Sequence, residues 1–522
     1  MRNPLQEGAC TGRCRKSRDV LAEGVISLPP AALQKSISSL QRACAQPHPV
    51  EMNLKSTLRT CRPPWIGLLP LVAALILLPG FSPTVHAAPP NILLILCDDL
   101  GYGDLGCYGQ KQILTPNLDR LAKEGTRFTQ VYAGSSVCAP SRCCLMTGRH
   151  NGHSRIRDNI PHGIFLRDED LTLAEILKPA GYRTGAIGKW GLGTHPSEGV
   201  PERQGFDHFY GHQDQDQAHF YYPDHLWDGG RVVLLPGNRG EHRQQYTHDL
   251  FTERALEFVG AQREQPFFLY LAYTLPHWSD YPLKSDDSQI VPSDAPYSDR
   301  DWPQVEKNYA AMVTMIDRDV GRLMDRLSEL GLDRDTLVIF TSDNGPSAEA
   351  KHDPAFFQSA GPLRGSKRDL YEGGIRVPML VRWPGRVPAG RVSDEVWTHW
   401  DLLPTLAEIA GQAVQTQVEG RSALATLEGG PAPERDFLYW DYGHTRGLYK
   451  QALRQGDWKA VRPAPGKPLE LYDLRYDSAE SQDIADRHPE VVKELERLIA
   501  QAAEPDPLYP IAPAKPAKAR NP

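Results

Sequence analysis

Asn91-Ile-Leu-Leu-Ile-Leu-Cys97 is an unbroken apolar run, and it stops on the paired acids Asp98-Asp99. A run this short and this apolar reads as a strand buried on both faces, because a half-exposed strand would alternate. The same texture returns at Thr184 to Ile187, Phe267 to Tyr273, Leu337 to Phe340 and Val377 to Val381. Helical segments lie between these runs. Thr115-Pro116 opens one, with a capping residue and a proline at the first helical position, and Gly125 closes it. Thr172 to Lys178 is a second, and about Val305 to Leu330 a third, with Met312, Met315, Ile316, Val320 and Leu323 at core-facing helical spacing. Strands alternating with helices predict an α/β domain built on a large, mostly parallel sheet flanked by helices.

The texture changes at about residue 435. Phe437 to Trp440, Tyr449 to Arg454, Trp458 to Val461 and Leu469 to Tyr472 are short strand-like runs, followed by a helix from about Pro489 to Ala502. This predicts a small antiparallel sheet with one helix, giving domains at 88–434 and 435–504. Residues 505–522, rich in Pro, Ala and Lys, read as a disordered tail. At the other end, residues 1–87 stand apart. The apolar run Ile66 to Phe81 follows Lys55, Arg59 and Arg62, and Val85-His86-Ala87 offers a small-residue cleavage site. That is the layout of a secretory signal peptide, and the run falls short of the roughly 20 residues of a membrane span. Met52 stands where such a peptide should begin, so 1–51 reads as an extension ahead of the true start. The expected product is exported, periplasmic or extracellular, with no stable membrane span after cleavage.

Without residues 1–87 the chain loses ten basic and four acidic side chains, and its net charge moves from −7 to −13. Such an acidic protein is not a nucleic-acid binder, and a polyanionic substrate would need a local basic site. Five cysteines remain, Cys97, Cys107, Cys138, Cys143 and Cys144, an odd number that leaves at least one thiol unpaired or modified, and their spacing is not that of a zinc site.

In open α/β sheets ligands bind beyond the carboxyl ends of the strands. Asp98-Asp99 follow the first strand, Lys189 the second, His277 the third and Asp343-Asn344 the fourth. Each alone is an ordinary turn residue; their convergence on one predicted edge argues for a site. Asp98, Asp99, Asp343 and Asn344 offer only oxygen ligands, which suits Ca²⁺ or Mg²⁺ rather than zinc. Cys138-Ala-Pro-Ser-Arg142 places a cysteine at the start of a helix opened by Pro140, where taken alone it reads as a low-pKa thiol nucleophile. Cys143 and Cys144 read as buried core thiols.

Cys138-x-Pro140-Ser141-Arg142-x-x-Leu145-x-Thr147-Gly148-Arg149 resembles the signature of the type I sulfatases. The resemblance extends to Gly188-Lys189-Trp190, Asp98-Asp99, Pro276-His277, Ser342-Asp343-Asn344-Gly345, Gly365-Ser-Lys367 and Glu372 to Pro378, and covers about residues 89–500. It implies the alkaline phosphatase-like sandwich fold. It also implies that a maturation enzyme oxidises Cys138 to formylglycine. The hydrated aldehyde carries two hydroxyls, of which one attacks sulfur and the other, once deprotonated, expels sulfate. By the same resemblance Asp98, Asp99, Asp343 and Asn344 hold a metal, Ca²⁺ or Mg²⁺, together with the modified Cys138. Arg142 orders the nucleophile and the carboxylates, and Asp343 can serve as a base on the nucleophilic hydroxyl. Lys189 and Lys367 neutralise the sulfate oxygens, and His277 contacts sulfate and helps protonate the leaving oxygen.

One position departs from the pattern: many family members carry a histidine where this chain has Gly191, with His195 the nearest substitute in sequence. The segments Gly211 to His219 and Tyr221 to Trp227, polar and aromatic, read as a loop near the site suited to a sugar. The expected substrate is a sulfated carbohydrate of galactose or N-acetylgalactosamine type, with aryl sulfates as artificial substrates. The competing readings are a phosphomonoesterase or phosphodiesterase of the same superfamily, and a non-catalytic binder of sulfated glycans.

Overall fold

The computed structural model describes residues 89–511, apart from 160–162, 241, 262–264, 280–287, 350 and 445–446. The expected signal peptide, the Met52 start and residues 512–522 of the expected tail lie outside the described residues.

Two sheets occur within one compact unit. The large sheet holds β1 (Asn91–Asp98), β2 (Thr126–Tyr132), β3 (Arg183–Lys189), β4 (His208–His212), β5 (His225–Asp228), β6 (Arg231–Leu234), β7 (Phe267–Pro276), β8 (Thr336–Ser342), β9 (Arg376–Arg382), β10 (Arg391–Ser393) and β11 (Trp397–Thr398). Its spatial order is β10-β2-β9-β8-β1-β7-β3-β4-β5-β6, with β11 also on β2. The centre, β8-β1-β7-β3-β4, is wholly parallel, and the pairs β8–β9, β9–β2, β4–β5 and β5–β6 are antiparallel. The small sheet is antiparallel, in the order β12 (Leu438–Tyr442), β13 (Lys450–Gln455), β14 (Trp458–Arg462), β15 (Glu470–Asp473), and the helix Pro489–Gln501 packs on it.

Every residue of β1 is buried, which is why its sequence does not alternate. Successive side chains still point to opposite faces. Leu93, Ile95 and Cys97 enter one core, with the helices Pro116–Glu124, Thr247–Ala261 and Gln304–Glu329. Ile92, Leu94 and Leu96 enter the other, with the helices Cys138–Thr147, Leu173–Leu177 and Leu402–Ile409. Burying a side chain of this size stabilises by about 1.5–3 kcal/mol, so a central strand of six apolar residues fixes the sandwich more firmly than local propensity does.

Several expectations need correction. Thr115 precedes its helix, but its hydroxyl accepts from the Gly106 N–H (2.8 Å) instead of capping. The helix at 247–261 and the strand β2 were not anticipated. Part of the expected 211–227 loop is regular: β4 ends at His212 and β5 spans His225–Asp228. Residues 505–511 of the expected tail are described, and Tyr509 there is buried, its hydroxyl donating to the Arg155 carbonyl (3.1 Å).

Candidate active site

The parallel strands β1, β3, β7 and β8 deliver their carboxyl ends to one edge, carrying Asp98, Lys189, His277 and Asp343-Asn344 there, as their order in the sequence predicts. Consecutive residues in a strand face opposite sides. Asp99 escapes this by adopting φ +66°, a left-handed conformation costly for a side chain with a Cβ. The turn it makes lets both Asp98 and Asp99 contribute to the same pocket.

Cys138, the first residue of the helix Cys138–Thr147, is buried and places Sγ 3.3 Å from Asp98 Oδ1. One turn on, Arg142 donates through Nε (3.0 Å) and Nη2 (2.7 Å) to Asp343 Oδ2 and through Nη1 (2.9 Å) to the Lys189 carbonyl. Lys189 Nζ lies 2.6 Å from Asp98 Oδ2. Lys367, from the loop before β9, donates to Asp99 Oδ2 (2.9 Å) and lies 3.0 Å from His277 Nε2. Three carboxylates therefore face three cations, all buried.

Burial and the neighbouring Asp98 push the Cys138 thiol up to about 12. This corrects the expectation of a low-pKa thiol: the helix N-terminus is outweighed, and the unmodified cysteine is a protonated, weak nucleophile at neutral pH. Burial and Asp98 raise Asp343 to about 7, while burial raises Asp99 against the pull of Lys367. Burial works to raise Asp98 as well, but Lys189 and the other cations around it win and hold it well below the usual carboxylate range. Burial, then His219 and Lys367, holds His277 well below its ordinary value, so its ring is neutral. Its Nδ1 lies 2.5 Å from the Trp278 carbonyl, an acceptor, so Nδ1 carries the proton and the Nε2 lone pair faces Lys367.

The residues present fit a hard divalent cation. Asn344 Nδ2 donates to Asp99 Oδ1 (2.7 Å), while its Oδ1 is buried without a hydrogen-bond partner among the described residues. An orphaned amide oxygen beside three carboxylates is what an oxygen-seeking cation would engage.

Sequence reasoning placed His219 only as the end of a loop near the site and gave it no role of its own. Its ring stacks on His277 with centroids 4.0 Å apart and planes 14° apart, and its Nε2 lies 3.5 Å from Lys189 Nζ. The signal was available in principle, since β4 runs parallel to β3 and the segment after it must leave from the same edge. His195, the nearest alternative in sequence, instead stacks on Trp227 at 5.2 Å. Cys143 and Cys144 are buried as expected, and the five cysteines are free thiols. A cavity of about 760 Å³ opens over the cluster, lined in part by His219, His277, Lys367, Gln213 and Gln215. A second, of about 1150 Å³, shares Thr194, Gln213 and Asp214 with it and adds Phe220, Tyr222 and Trp227.

A mostly parallel sheet that gathers carboxylates, lysines and an amide around a buried helix-terminal side chain accords with the alkaline phosphatase-like fold that the resemblance implies. Residues 90–412 match the family described as Sulfatase, and residues 365–504 match that of the N-sulphoglucosamine sulphohydrolase C-terminal region. The chain belongs to the sulfatase family and is a sulfuric ester hydrolase. It is 34% identical to arylsulfatase A of Homo sapiens, over 84% of this chain and 92% of that one. It is 28% identical to N-acetylgalactosamine-6-O-sulfatase of Bacteroides thetaiotaomicron, over 83% and 98%. Among solved structures, Ps i-CgsB in complex with k-i-k-neocarrahexaose superposes with a TM-score of 0.68 at 30% identity, covering 79% of this chain and 92% of that one. A phosphonate monoester hydrolase of Agrobacterium radiobacter, 22% identical with a TM-score of 0.55 over 79% and 96% of the two chains, shares the fold.

Proposed function

We propose that this protein removes sulfate from a sulfated carbohydrate of galactose or N-acetylgalactosamine type, using Cys138 oxidised to formylglycine by a maturation enzyme. The observation that carries the reading is the ring of Lys189, Lys367, His277 and Arg142 around Cys138, beside a cavity much larger than a sulfate. Export through the segment before residue 88 is part of this reading, on the signal-peptide layout of Lys55 to Ala87.

Hydrated formylglycine supplies a hydroxyl nucleophile together with a second hydroxyl on the same carbon as an exit. Asp98, Asp99, Asp343 and Asn344 would hold the divalent cation, Ca²⁺ in our reading, which polarises sulfate. Arg142 fixes Asp343 by two hydrogen bonds and so keeps a carboxylate beside the nucleophile, able to take its proton. Lys189 and Lys367 present ammonium groups to the sulfate oxygens in a water-poor pocket, where each such contact is worth far more than in bulk water. A sugar alkoxide is a poor leaving group and needs a proton. His277 accepts from Lys367 at Nε2, so the Lys367–His277 pair presents that proton, and His219, stacked behind, holds the His277 ring in plane.

The test is the mass of the Cys138 peptide from protein made in its native host, paired with turnover of a sulfate and a phosphate ester of the same phenol. Aldehyde or hydrate mass with preference for sulfate is the expected result. An intact thiol in a host that matures other sulfatases, or preference for phosphate, would overturn the reading.

A further inference from the structure

We propose that the side-chain amides of Gln213 and Gln215 read uncharged hydroxyl groups of the sugar ring that bears the sulfate; this rests on the function proposed above. The two residues follow β4 directly. Lys189 pairs with His212, the Trp190 N–H donates to the His212 carbonyl (2.9 Å), and the Gly191 N–H donates to that of Gln213 (3.2 Å). The register thus carries the segment after β4 alongside the segment after Lys189, at the rim of the sulfate pocket.

Gln213 is 1% exposed, and its Oε1 accepts from the His195 N–H (3.1 Å), which fixes the amide and leaves Nε2 buried without a partner among the described residues. On Gln215 both Oε1 and Nε2 are buried and unpartnered among the described residues. Both residues line the cavity that also holds Lys367, His277 and His219. Buried polar atoms are rarely left unpaired, and each needs an explanation when it is. Here two donors and an acceptor, covered and unpaired, belong to side chains that line a space large enough for a pyranose ring, so a small turn of each amide would offer them to a hydroxyl.

Gly191 makes this arrangement possible. It sits at φ +73°, and a Cβ built on it would come 2.7 Å from Gln215 Oε1. Any side chain at 191 would compete for the place the Gln215 amide occupies. Asp214 and Asp216 line the same wall and disfavour a second anion there. Amides flanked by acids pair with hydroxyls, which both donate and accept, and an aryl ring offers no such partner.

The experiment uses Gln215→Leu, Gln213→Leu and Gly191→Ala. For each, kcat and KM are measured with an aryl sulfate and with monosulfated galactose and N-acetylgalactosamine. Affinity for the same saccharides is measured by calorimetry in a Cys138→Ala background, which does not depend on maturation. Each variant is expected to lower the saccharide-to-aryl ratio of kcat/KM by about ten- to a hundredfold, mainly through KM. Deoxy sugars lacking the read hydroxyl should cost the parent the same factor and cost Gln215→Leu little more. Equal loss on both substrate types, or no loss in any variant, overturns the proposal; Gly191→Ala keeps the test alive if Gln215→Leu does not fold. Saccharide binding to Cys138→Ala without cleavage of any sulfate ester by the mature parent overturns the proposed function instead.

Discussion

Two buried ionic clusters lie on this fold, and they are built to opposite ends. In the cleft, Asp98, Asp99 and Asp343 face Arg142, Lys189 and Lys367. Between the large sheet and the small one, Lys459 Nζ bridges Glu372 Oε1 (2.8 Å) and Glu480 Oε1 (2.9 Å). Tyr132 (2.7 Å) and Arg376 (3.2 Å) cover Glu372 Oε2, the Glu372 N–H (2.6 Å) covers Glu480 Oε2, and Arg454 donates to the Tyr132 hydroxyl. Each glutamate oxygen at this seam lies against a protein cation or donor, Glu480 Oε1 through its ion pair with Lys459 alone. The cleft leaves the Asn344 and Gln215 oxygens unpaired among the described residues and its lysines on carboxylates that a metal would claim. The difference teaches that buried charge alone does not mark a catalytic site. The mark is buried charge whose pairing stays incomplete until something from outside enters.

If that distinction holds, substitutions in the two clusters should move different quantities. The largest effect is expected from Cys138→Ala, which should cut kcat by about 10⁴-fold or more, as loss of a nucleophile does elsewhere, while shifting the melting temperature little. A variant that retained turnover within tenfold would remove Cys138 from the chemistry. At the seam the outcome should invert. Lys459→Met strips two buried glutamates of their shared cation, for which breaking a buried pair costs about 3–5 kcal/mol. Denaturant unfolding should show that loss, and the protein that remains folded should keep its kcat/KM. A stable Lys459→Met protein with impaired turnover would mean that the seam governs the cleft. Chelation is the next test. Stripping a tightly held cation should lower stability by about 2.7 kcal/mol where the ion had been at a hundred times its Kd, and should abolish turnover until Ca²⁺ is returned. No change in either quantity would leave the cleft acids without their proposed role.

The sequence disclosed the cleft far better than the seam, for a physical reason. Strands buried on both faces must be continuously apolar, so β1, β3, β7 and β8 could be located, and parallel strands share one edge, so the residues after them were bound to meet. Asp98, Lys189, His277 and Asp343 were legible on that ground, and Cys138, Arg142 and Lys367 on the motifs that carry the resemblance. His219, Gln213 and Gln215 were read only as part of a loop near the site and not singled out, because β4 is a short strand reading His-Phe-Tyr-Gly-His, with no apolar run to announce it and fix their positions. The seam was not legible as a cluster, although Glu372 heads one of the quoted motifs. Glu372, Lys459 and Glu480 are scattered over more than a hundred residues, and nothing local shows that a lysine within the strand-like run Trp458 to Val461 is buried. The direction of the Cys138 shift was missed for a related reason: a helix N-terminus can be seen in a sequence, whereas Asp98 at 3.3 Å and complete burial cannot.

The smallest expected effect probes the seam by pH. Burial, and then the negative Glu372, raise Glu480 to about 7 despite Lys459, whereas Lys459 and Arg376 overcome burial and hold Glu372 at about 2. Because Glu480 binds its proton more tightly folded than unfolded, its contribution to stability is fullest below its ordinary value of 4.5 and declines as pH rises to about 7. Glu372 has the opposite sign, its contribution being present above 4.5 and lost only as pH falls toward about 2. Between these limits only Glu480 moves, so the difference between Glu480→Gln and the parent isolates it from other titrating groups. The two proteins should match near pH 4.5, and the variant should be the more stable at pH 8. The gap should be roughly 3 kcal/mol, since the rise from 4.5 to about 7 is worth about 1.4 kcal/mol per pKa unit. Thermal unfolding of both proteins across that range measures it. A variant less stable than the parent at pH 8 would mean that ionised Glu480 strengthens the seam as the partner of Lys459, and that a cluster closed to anything from outside can still draw its stability from charge.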